Sequence, residues 1–452
     1  MSAFESLVAD LDGIPIETKP ERVRRRSRVQ SPFSPILRRR LEGLGADLWA
    51  APRDEEETVA VLSAAARHGV PVTLRGGGTS LGGQATPLSG GIVLDLGAMG
   101  QIQEIRQGRV RAQAGARFAE IDDAARSHSR QELRLYPTTC ETATIGGFVG
   151  SGIGGVGSVT WGLMDAPGNI LSARVLTLER DPRRLELTGA ELDRIAGAWG
   201  TTGVIAELEL PLTAAYRWAE MVVAFDDRNA ALAFAETLAR ESGLLKKLVT
   251  CLAAPLAAYA LPERLAGERD HAVLVQAADI SLVATRELVA RSGGRILLDR
   301  FQDVRGGAPP LFTCAWHHVT ERALKADPGL CHLQALVPPP FGGRVAALAE
   351  TLGDEALLHL ELVRLQGSVG AVALPLLRTG EAGLADAARR IEAAGCRLLD
   401  PHRLDLGGGD PRQEGRVRFA AGADPFGLLN PGKLKGSPFL TARAQPLSSA
   451  GL

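Results

Sequence analysis

Residues 71–83 read Pro71-Val-Thr-Leu-Arg-Gly-Gly-Gly-Thr-Ser-Leu-Gly-Gly83, a short apolar strand running straight into a loop with five glycines. Glycine lets main-chain N–H groups approach an anion closely and adopt positive φ without strain. Two further stretches repeat the theme: Thr144-Ile-Gly-Gly-Phe-Val-Gly-Ser-Gly-Ile-Gly-Gly-Val-Gly157 and Gly200-Thr-Thr-Gly-Val-Ile205. The last leads into a strand in which Val204, Ala206, Leu208 and Leu210 alternate with Glu207 and Glu209. One such loop decides little. Three within one domain, each beside a strand, predict a large anionic ligand gripped at several points, as a dinucleotide pyrophosphate demands.

Periodicity places these loops. Val59, Leu62 and Ala66 predict a helix over Glu55–His68, stopped by Gly69. Strands follow at Val70–Leu74, Ile92–Leu96 and Val110–Ala114, then a helix from Phe118 to Arg126, then strands Val175–Leu178 and Leu185–Leu187. Thr188 and Glu191 have the spacing of a capping box. Near Leu212–Trp218 the glycine loops stop. Strand-like Met221–Phe225 and Ala272–Gln276 then alternate with helical Arg228–Arg240 and Thr285–Arg291, a second α+β region. Glycine and proline return from Asp400 and end in Asp424-Pro-Phe-Gly-Leu-Leu-Asn-Pro-Gly-Lys433. The expected division is an arm at 1–44, a glycine-loop domain at 45–215, a cap at 216–399, a returning segment at 400–436 and a tail at 437–452.

Composition excludes several classes. The 452 residues are 45% hydrophobic and 23% charged, as in globular proteins. Lys+Arg 51 against Asp+Glu 52 leaves a net charge of −1, with no field to gather nucleic acid. No run approaches the ~18–20 apolar residues of a membrane span, and no signal-peptide pattern opens the chain, so a cytoplasmic location is expected. The arginine-rich stretch 19–40 reads as a solvated arm packing on the surface. Five cysteines without a CxxC pair support neither a zinc knuckle nor a disulfide framework. No lysine lies between Lys19 and Lys246, so no P-loop lysine exists there. Gly152-Ile-Gly-Gly-Val-Gly157 matches GxGxxG, with Glu179 suitably placed, but no strand is expected before it. No helix is expected after it either, because Trp161-Gly-Leu-Met-Asp-Ala-Pro-Gly168 is broken by glycine and proline. A Rossmann site is therefore rejected.

The first loop, Thr144-Ile-Gly-Gly147, Gly200-Thr-Thr-Gly-Val-Ile205 and Asn430-Pro-Gly-Lys433 together resemble the vanillyl-alcohol-oxidase, or PCMH-type, FAD-dependent oxidoreductases. The nearest resemblance is to the D-lactate dehydrogenase and glycolate oxidase subunit branch. It spans roughly residues 45–215 and 400–435. It implies an α+β fold: a two-subdomain FAD-binding domain, an α+β cap, and a C-terminal segment returning to the flavin. Arg75, Gly76, Gly77, Gly78, Thr79, Ser80 and Gly83 would then form the pyrophosphate loop. Pro137, Thr142, Thr144, Gly146, Gly147 and Ser151 would line the second side. Gly203, Val204 and Ile205 would present backbone to the cofactor, and Asn430 and Lys433 would close the ring end. Thr79 occupies the place where some relatives tether flavin through histidine. Cys140 stands where doubly linked relatives carry a tethering cysteine, but a buried neutral thiol is expected there.

The resemblance also implies hydride transfer from a CH–OH donor, an alcohol or 2-hydroxy acid, with a base to take the hydroxyl proton. Histidine suits that task. His317 and His318 open the helical run Trp316-His-His-Val-Thr-Glu-Arg-Ala-Leu-Lys325, His359 shares a strand face with Glu361, and His402 precedes the returning segment. These four are the candidate catalytic residues. The hydroxy-acid branch holds a metal with Gly-Asp-Gly-Asn and Glu-His-Gly runs; neither is present, so no metal is expected. Arg364 can pair a substrate carboxylate or simply form a surface salt bridge. The expected partners are a small-molecule substrate and an electron-acceptor protein. The alternative reading is a flavin-binding relay or regulatory subunit without its own substrate oxidation.

Overall fold

The computed structural model describes residues 3–28, 34–80, 82–152, 154–262, 265–302, 308–407 and 410–436. The tail expected at 437–452 lies outside the described residues, as do Leu81 and Ile153 of the first two glycine loops.

Helix Glu55–His68 shows how local sequence sets the first layer. Asp54 accepts the Glu57 amide at 2.9 Å as N-cap, and Glu55, Glu56 and Glu57 complement the positive end of the helix. Gly69, at φ 65°, ends it. The helix buries Val61, Leu62, Ala64 and Ala65 while crossing from strand Leu48–Ala50 to strand Val72–Arg75. Both strands pair in parallel with Ile92–Asp95, and Ile16–Glu17 adds antiparallel at the edge. The result is a four-stranded sheet whose strand Val72–Arg75 delivers the first glycine loop from its C-terminal end.

The second sheet is antiparallel, with Ile102–Arg106, Arg109–Gln113, Val204–Ala214, Ser172–Leu176 and Arg184–Thr188 in spatial order. Gln131–Leu133 pairs with the far end of the long Val204–Ala214 strand. Helices Phe118–Ser129 and Ile145–Ser151 belong to the same core, where the Phe118 and Phe148 rings meet edge-on at 5.2 Å. Three local expectations are corrected. Thr188 caps nothing with its side chain, because the segment after it is a tight 3₁₀ turn, Gly189–Arg194. Residues 145–151, too glycine-rich to suggest regular structure, form a helix capped by Thr144, whose hydroxyl accepts the Gly147 amide. A one-turn helix, Ser158–Trp161, does follow Gly157, set by the positive φ of Gly157 and Gly162 at its two ends.

From Trp218 a third, eight-stranded antiparallel sheet begins, ordered Arg295–Phe301, Trp218–Phe225, His271–Ala278, Lys246–Leu252, His359–Leu365, Ser368–Ala373, Ala335–Val337 and Arg397–Leu398. Strand alternation divides its faces. Val273, Val275, Leu360 and Leu362 pack with Phe234, Leu238, Phe341, Val345 and Ile391 of the helices Arg228–Arg240, Phe341–Leu352 and Gly380–Ala393. Val222, Leu248, Leu274 and Val363 point the other way and join the core of the second sheet. All five cysteines are buried and free. No helix among the described residues is long and apolar enough to cross a membrane.

The first two layers share a core of Val72, Ile92, Leu94, Leu176 and Val204, and two sets of polar contacts add to such packing. The chain returns after helix Gln413–Ala423, and Leu428–Asn430 runs beside Val72: the Val72 amide donates to the Leu428 carbonyl (2.8 Å) and the Asn430 amide to the Val72 carbonyl (2.7 Å). At the junction of the second and third sheets, Glu132 is fully buried and accepts from Lys247 Nζ at 2.6 Å, from Trp218 Nε1 at 3.0 and 3.1 Å, and from Arg126. Lys247 is 2% exposed and also donates to the Leu133 carbonyl. Glu132→Gln strands Lys247 with a diminished partner, a loss of about 3–5 kcal/mol for a broken buried pair. The expected result is a clearly lowered thermal midpoint, restored in large part by the double change Glu132→Leu with Lys247→Met. A single variant as stable as wild type would remove this pair from the supports of the fold.

Candidate active site

The first glycine loop, the Ile145–Ser151 helix with its approach, and the Gly200–Ile205 turn border one cleft, which encloses about 1870 Å³ of atom-free space including its open mouth. The first loop contributes Arg75, Gly76, Gly77, Gly78, Thr79 and Ser80 to its wall. The second side contributes Pro137, Thr144, Gly146, Gly147 and Ser151, and the third turn Gly203 and Ile205. His317 and His318 enter from the third sheet's side.

Close approach explains why the floor is backbone. A Cβ on Gly77 would stand 2.0 Å from the Thr142 carbonyl oxygen, and one on Gly76 would stand 2.1 Å from Thr144 Oγ1. Thr142 therefore acts through its carbonyl behind the wall rather than as a lining side chain. Gly147 and Gly150 differ: a Cβ on Gly150 would meet nothing within 4 Å, and one on Gly147 only Thr144 Oγ1 at 3.1 Å. Packing does not require glycine at Gly150, whereas at Gly147 the Thr144 hydroxyl would have to give by a few tenths of an ångström; both residues line the cleft. Among the described residues, no chain acceptor meets the amides of Gly77, Gly78 and Thr79. The Gly146 amide, in contrast, donates to the Ala114 carbonyl (2.8 Å) and that of Gly147 to Thr144 Oγ1. The first loop thus offers a run of main-chain donors without a chain acceptor, where an anion would be held.

Several predicted residues stand behind the wall. Lys433 is 1% exposed and its Nζ donates to the carbonyls of Gly83 (3.1 Å), Gln84 (2.5 Å) and Thr86 (2.6 Å). Burial pushes its pKa down to about 7, while three acceptors that need all three ammonium protons oppose that shift. Asn430 Nδ2 donates to the carbonyls of Gln84 (3.1 Å) and Trp199 (2.6 Å). Both residues brace the loops instead of lining the cleft. Val204 is a buried strand residue paired with Leu176. Cys140 lies under the wall, and burial, followed by the Glu141 charge, raises its thiol to about 12.

The histidines divide. Burial, then the nearby His359, pushes His317 down to about 4, and the Gln334 side chain hydrogen-bonds it. His318 is also lowered, first by burial, and bonds the Thr138 backbone. His359 is fully buried off the cleft, its Nε2 2.7 Å from Glu361 Oε1, and Glu361 in turn accepts from Thr250 Oγ1 (2.7 Å) and the Trp316 amide. His402 sits one layer back. Its Nε2 donates to the His332 carbonyl (2.9 Å), which leaves Nδ1 to accept from Ser34 Oγ (2.6 Å), and Ser34 lines the cleft. His332, lowered by burial to about 3, lines it too. Arg364 donates to the carbonyls of Val159, Gly367 and Ala239, with no carboxylate partner among the described residues. Sequence reasoning missed Ser34, Trp199, His332, Gln334 and the lining role of Trp316. Trp199 and Trp316 hold positive φ (both 52°), and the Trp316 ring would collide with a Cβ on Gly154. Nothing in a sequence marks a tryptophan for positive φ.

Comparison with known proteins accords with this geometry. Residues 46–181 match the FAD binding domain family. A D-lactate dehydrogenase of Archaeoglobus fulgidus is 38% identical over 115 residues, 25% of each chain. The glycolate oxidase subunit GlcD of Escherichia coli K12 is 32% identical over 177 residues, 36% of this chain and 34% of that one. The matches thus span about a quarter to a third of these relatives. A solved alkyldihydroxyacetonephosphate synthase superposes with a TM-score of 0.72 at 14% identity, over 95% of this chain and 85% of that one. The chain carries a PCMH-type FAD-binding fold, and its cofactor is FAD.

Two outcomes follow. Gly77→Ala must move backbone, and overpacking of about 1–3 kcal/mol corresponds to roughly 5- to 150-fold weaker FAD binding. Gly77→Asp adds a carboxylate beside the phosphates and should yield colourless protein, read as the ratio of flavin to protein absorbance. Full flavin content in both variants would refute the loop assignment. Unfolding releases His317 and His332 to titrate near the usual histidine value of 6.5, whereas folded they take protons only near 4 and 3. Acidification below about 6.5 therefore favours the unfolded chain, and this contribution keeps falling until both rings are protonated in the folded state too. The thermal midpoint of His332→Gln should fall less between pH 6.5 and 4 than that of wild type.

Proposed function

We propose that this protein is an FAD-dependent oxidoreductase that oxidises a small alcohol or 2-hydroxy acid. The arm at 1–44, the FAD module at 45–215, the cap at 216–399 and the closing segment at 400–436 would form one working unit. The observation that carries this reading is a single cleft whose floor is free main-chain donors and whose other wall holds His317, kept neutral by burial. The first loop would hold the pyrophosphate, and the second and third would shape the space beside it. Bound there, FAD supplies a two-electron acceptor for the hydride of a CH–OH donor.

The remaining work belongs to side chains. His317 is unprotonated at neutral pH and hydrogen-bonded on one side by Gln334, so its other ring nitrogen can take the proton of a substrate hydroxyl. His318, anchored on Thr138, and the Ser34 hydroxyl, anchored on His402, are further polar contacts for substrate oxygen. Phe148 and Trp316 add apolar surface to the cleft wall. His359 and Glu361 act from behind, fixing the Trp316 amide and hence the start of the helix that carries His317.

Anaerobic addition of alcohols and 2-hydroxy acids should bleach the flavin absorbance with at least one class of compound. His317→Asn should slow that bleaching by about 10²–10⁴-fold, the range for loss of a general base, with flavin content intact. In wild type the rate should drop as pH falls through about 4, because the protonated ring accepts nothing. A flavin that stays oxidised with every compound would favour a relay subunit instead. Unchanged kinetics in the variant would remove His317 from the chemistry.

A further inference from the structure

The arginine-rich arm gives the site described so far Ser34, but none of the arm's arginines. Residues 19–40 contain Lys19 and eight arginines against one carboxylate, Glu21, a net +8; with −1 overall, the rest of the chain carries −9. The arm forms helices Pro20–Ser27 and Pro35–Leu41, and their apolar residues are spent on packing: Val23 and Leu37 are fully buried. Leu41 packs against Gly83 of the first glycine loop, and the Arg26 guanidinium lies 4.0 Å from the centre of the Trp49 ring. Its cations therefore stand on a fixed surface.

That surface borders the cleft. The Arg28 carbonyl accepts from Arg75 Nη1 at 2.7 Å, and Ser34, six residues on, lines the cleft and holds His402. Arg40 lies close enough to His402 to depress its pKa slightly, after burial. Lys19, Arg22, Arg24, Arg25, Arg28, Arg38, Arg39 and Arg40 are all exposed. Among the described residues, Glu17 reaches Arg22 (3.4 Å) and Glu381 reaches Arg39. Among the described residues, Arg24, Arg25, Arg28 and Arg40 have no carboxylate partner. One basic side chain at a helix C-terminus stabilises the helix. Arg24, Arg25 and Arg26 at one such end and Arg38, Arg39 and Arg40 at the other repel one another, a cost that an anionic partner would offset.

We infer that this basic collar is the docking surface for an acidic electron-acceptor protein that seats over the cleft, a step that rests on the oxidoreductase reading above. A bilayer fits less well, because neither helix keeps an apolar face to insert. A nucleic-acid duplex extending past the collar would meet a body of charge −9. A compact acidic patch matches both the size and the sign of the collar, and its approach brings a redox centre to the mouth of the FAD site.

The test uses the FAD-loaded full chain and two probe proteins, the acidic haem domain of cytochrome b5 and basic cytochrome c. Binding of the acidic probe should be measurable at 20 mM KCl and at least about tenfold weaker at 300 mM, as screening shortens the reach of exposed charges. The double variant Arg24→Glu/Arg25→Glu, which touches neither cleft nor loop, should weaken binding at least tenfold with unchanged flavin absorbance. The basic probe should not bind. Acidic-probe binding that ignores the double variant would overturn the proposal, as would preferential sedimentation with vesicles of 70% phosphatidylcholine and 30% phosphatidylserine. Failure of the underlying reading looks different: the acidic probe binds with the expected salt dependence, yet photoreduced protein passes no electrons to it.

Discussion

Gly76 and Gly77 pass Thr142 and Thr144 with no room for a β-carbon between them, and the geometry of the cleft depends on that contact. The first loop hangs from the parallel sheet, and residues 142–144 lead into the helix at the antiparallel sheet, so the two layers, which share a core of Val72, Ile92, Leu176 and Val204, meet at the cleft where only glycine fits. Close packing leaves no slack for a methyl group there. Gly77, Gly78 and Thr79 line the cleft, and among the described residues their amides meet no chain acceptor. Recognition by main-chain donors needs no particular side chain and costs no reorganisation, which suits a constant anionic group such as a pyrophosphate.

The opposite support comes from the end of the described chain. Lys433 gathers three carbonyls of residues 83–86, and Asn430 bridges Gln84 to Trp199, joining the first loop to the third. These bonds close loops of roughly 350 residues, so their entropic cost falls late in folding. The first loop alone is a glycine-rich segment with little to hold it. Only when the segment after Ala423 lies against Val72 does it acquire a fixed shape. The cofactor site is thus completed by the last part of the chain to return, which is why Asn-Pro-Gly-Lys, an ordinary turn by itself, matters where it stands.

Legibility tracked how local the determinants were. Helix Glu55–His68 was readable to the residue, because its cap, acidic first turn and terminal glycine are all in the segment. Helix Arg228–Arg240 was equally plain, with Asp227 accepting the Ala230 amide. The helix Ile145–Ser151 was not, since three of its residues are glycines whose low propensity is overruled by packing of Ile145, Phe148 and Val149. In the site, the glycine loops announced themselves, but the contacts that make them a cleft are long-range. Ser34 entered the wall through a bond to a histidine 368 residues away, and His332 through the pairing of Cys331–His332 with Leu376–Leu377 in a small three-stranded sheet, with Gln334 just beyond it. No window of sequence contains those pairings. His359 and His402 were conspicuous as histidines, yet burial placed them one layer behind the residues they orient.

The two ends of the cleft differ in how they treat charge, and that difference limits what each can bind. Unpaired amides on the first loop favour an anion. At the cap end, His317 and His332 are buried deeply enough to stay neutral, Gln334 is an amide and Ser34 a hydroxyl, so that end offers hydrogen bonds without net charge. Glu321, the carboxylate on this wall, is held by Lys325 at 2.7 Å. A neutral imidazole in such surroundings gains by accepting a proton only when a developing negative charge is close enough to stabilise it. On the proposed reading, an alkoxide forming beside His317 would be such a charge. The same burial that makes the ring a weak base in the resting protein would then confine its basicity to the moment when a hydroxyl is oxidised next to it.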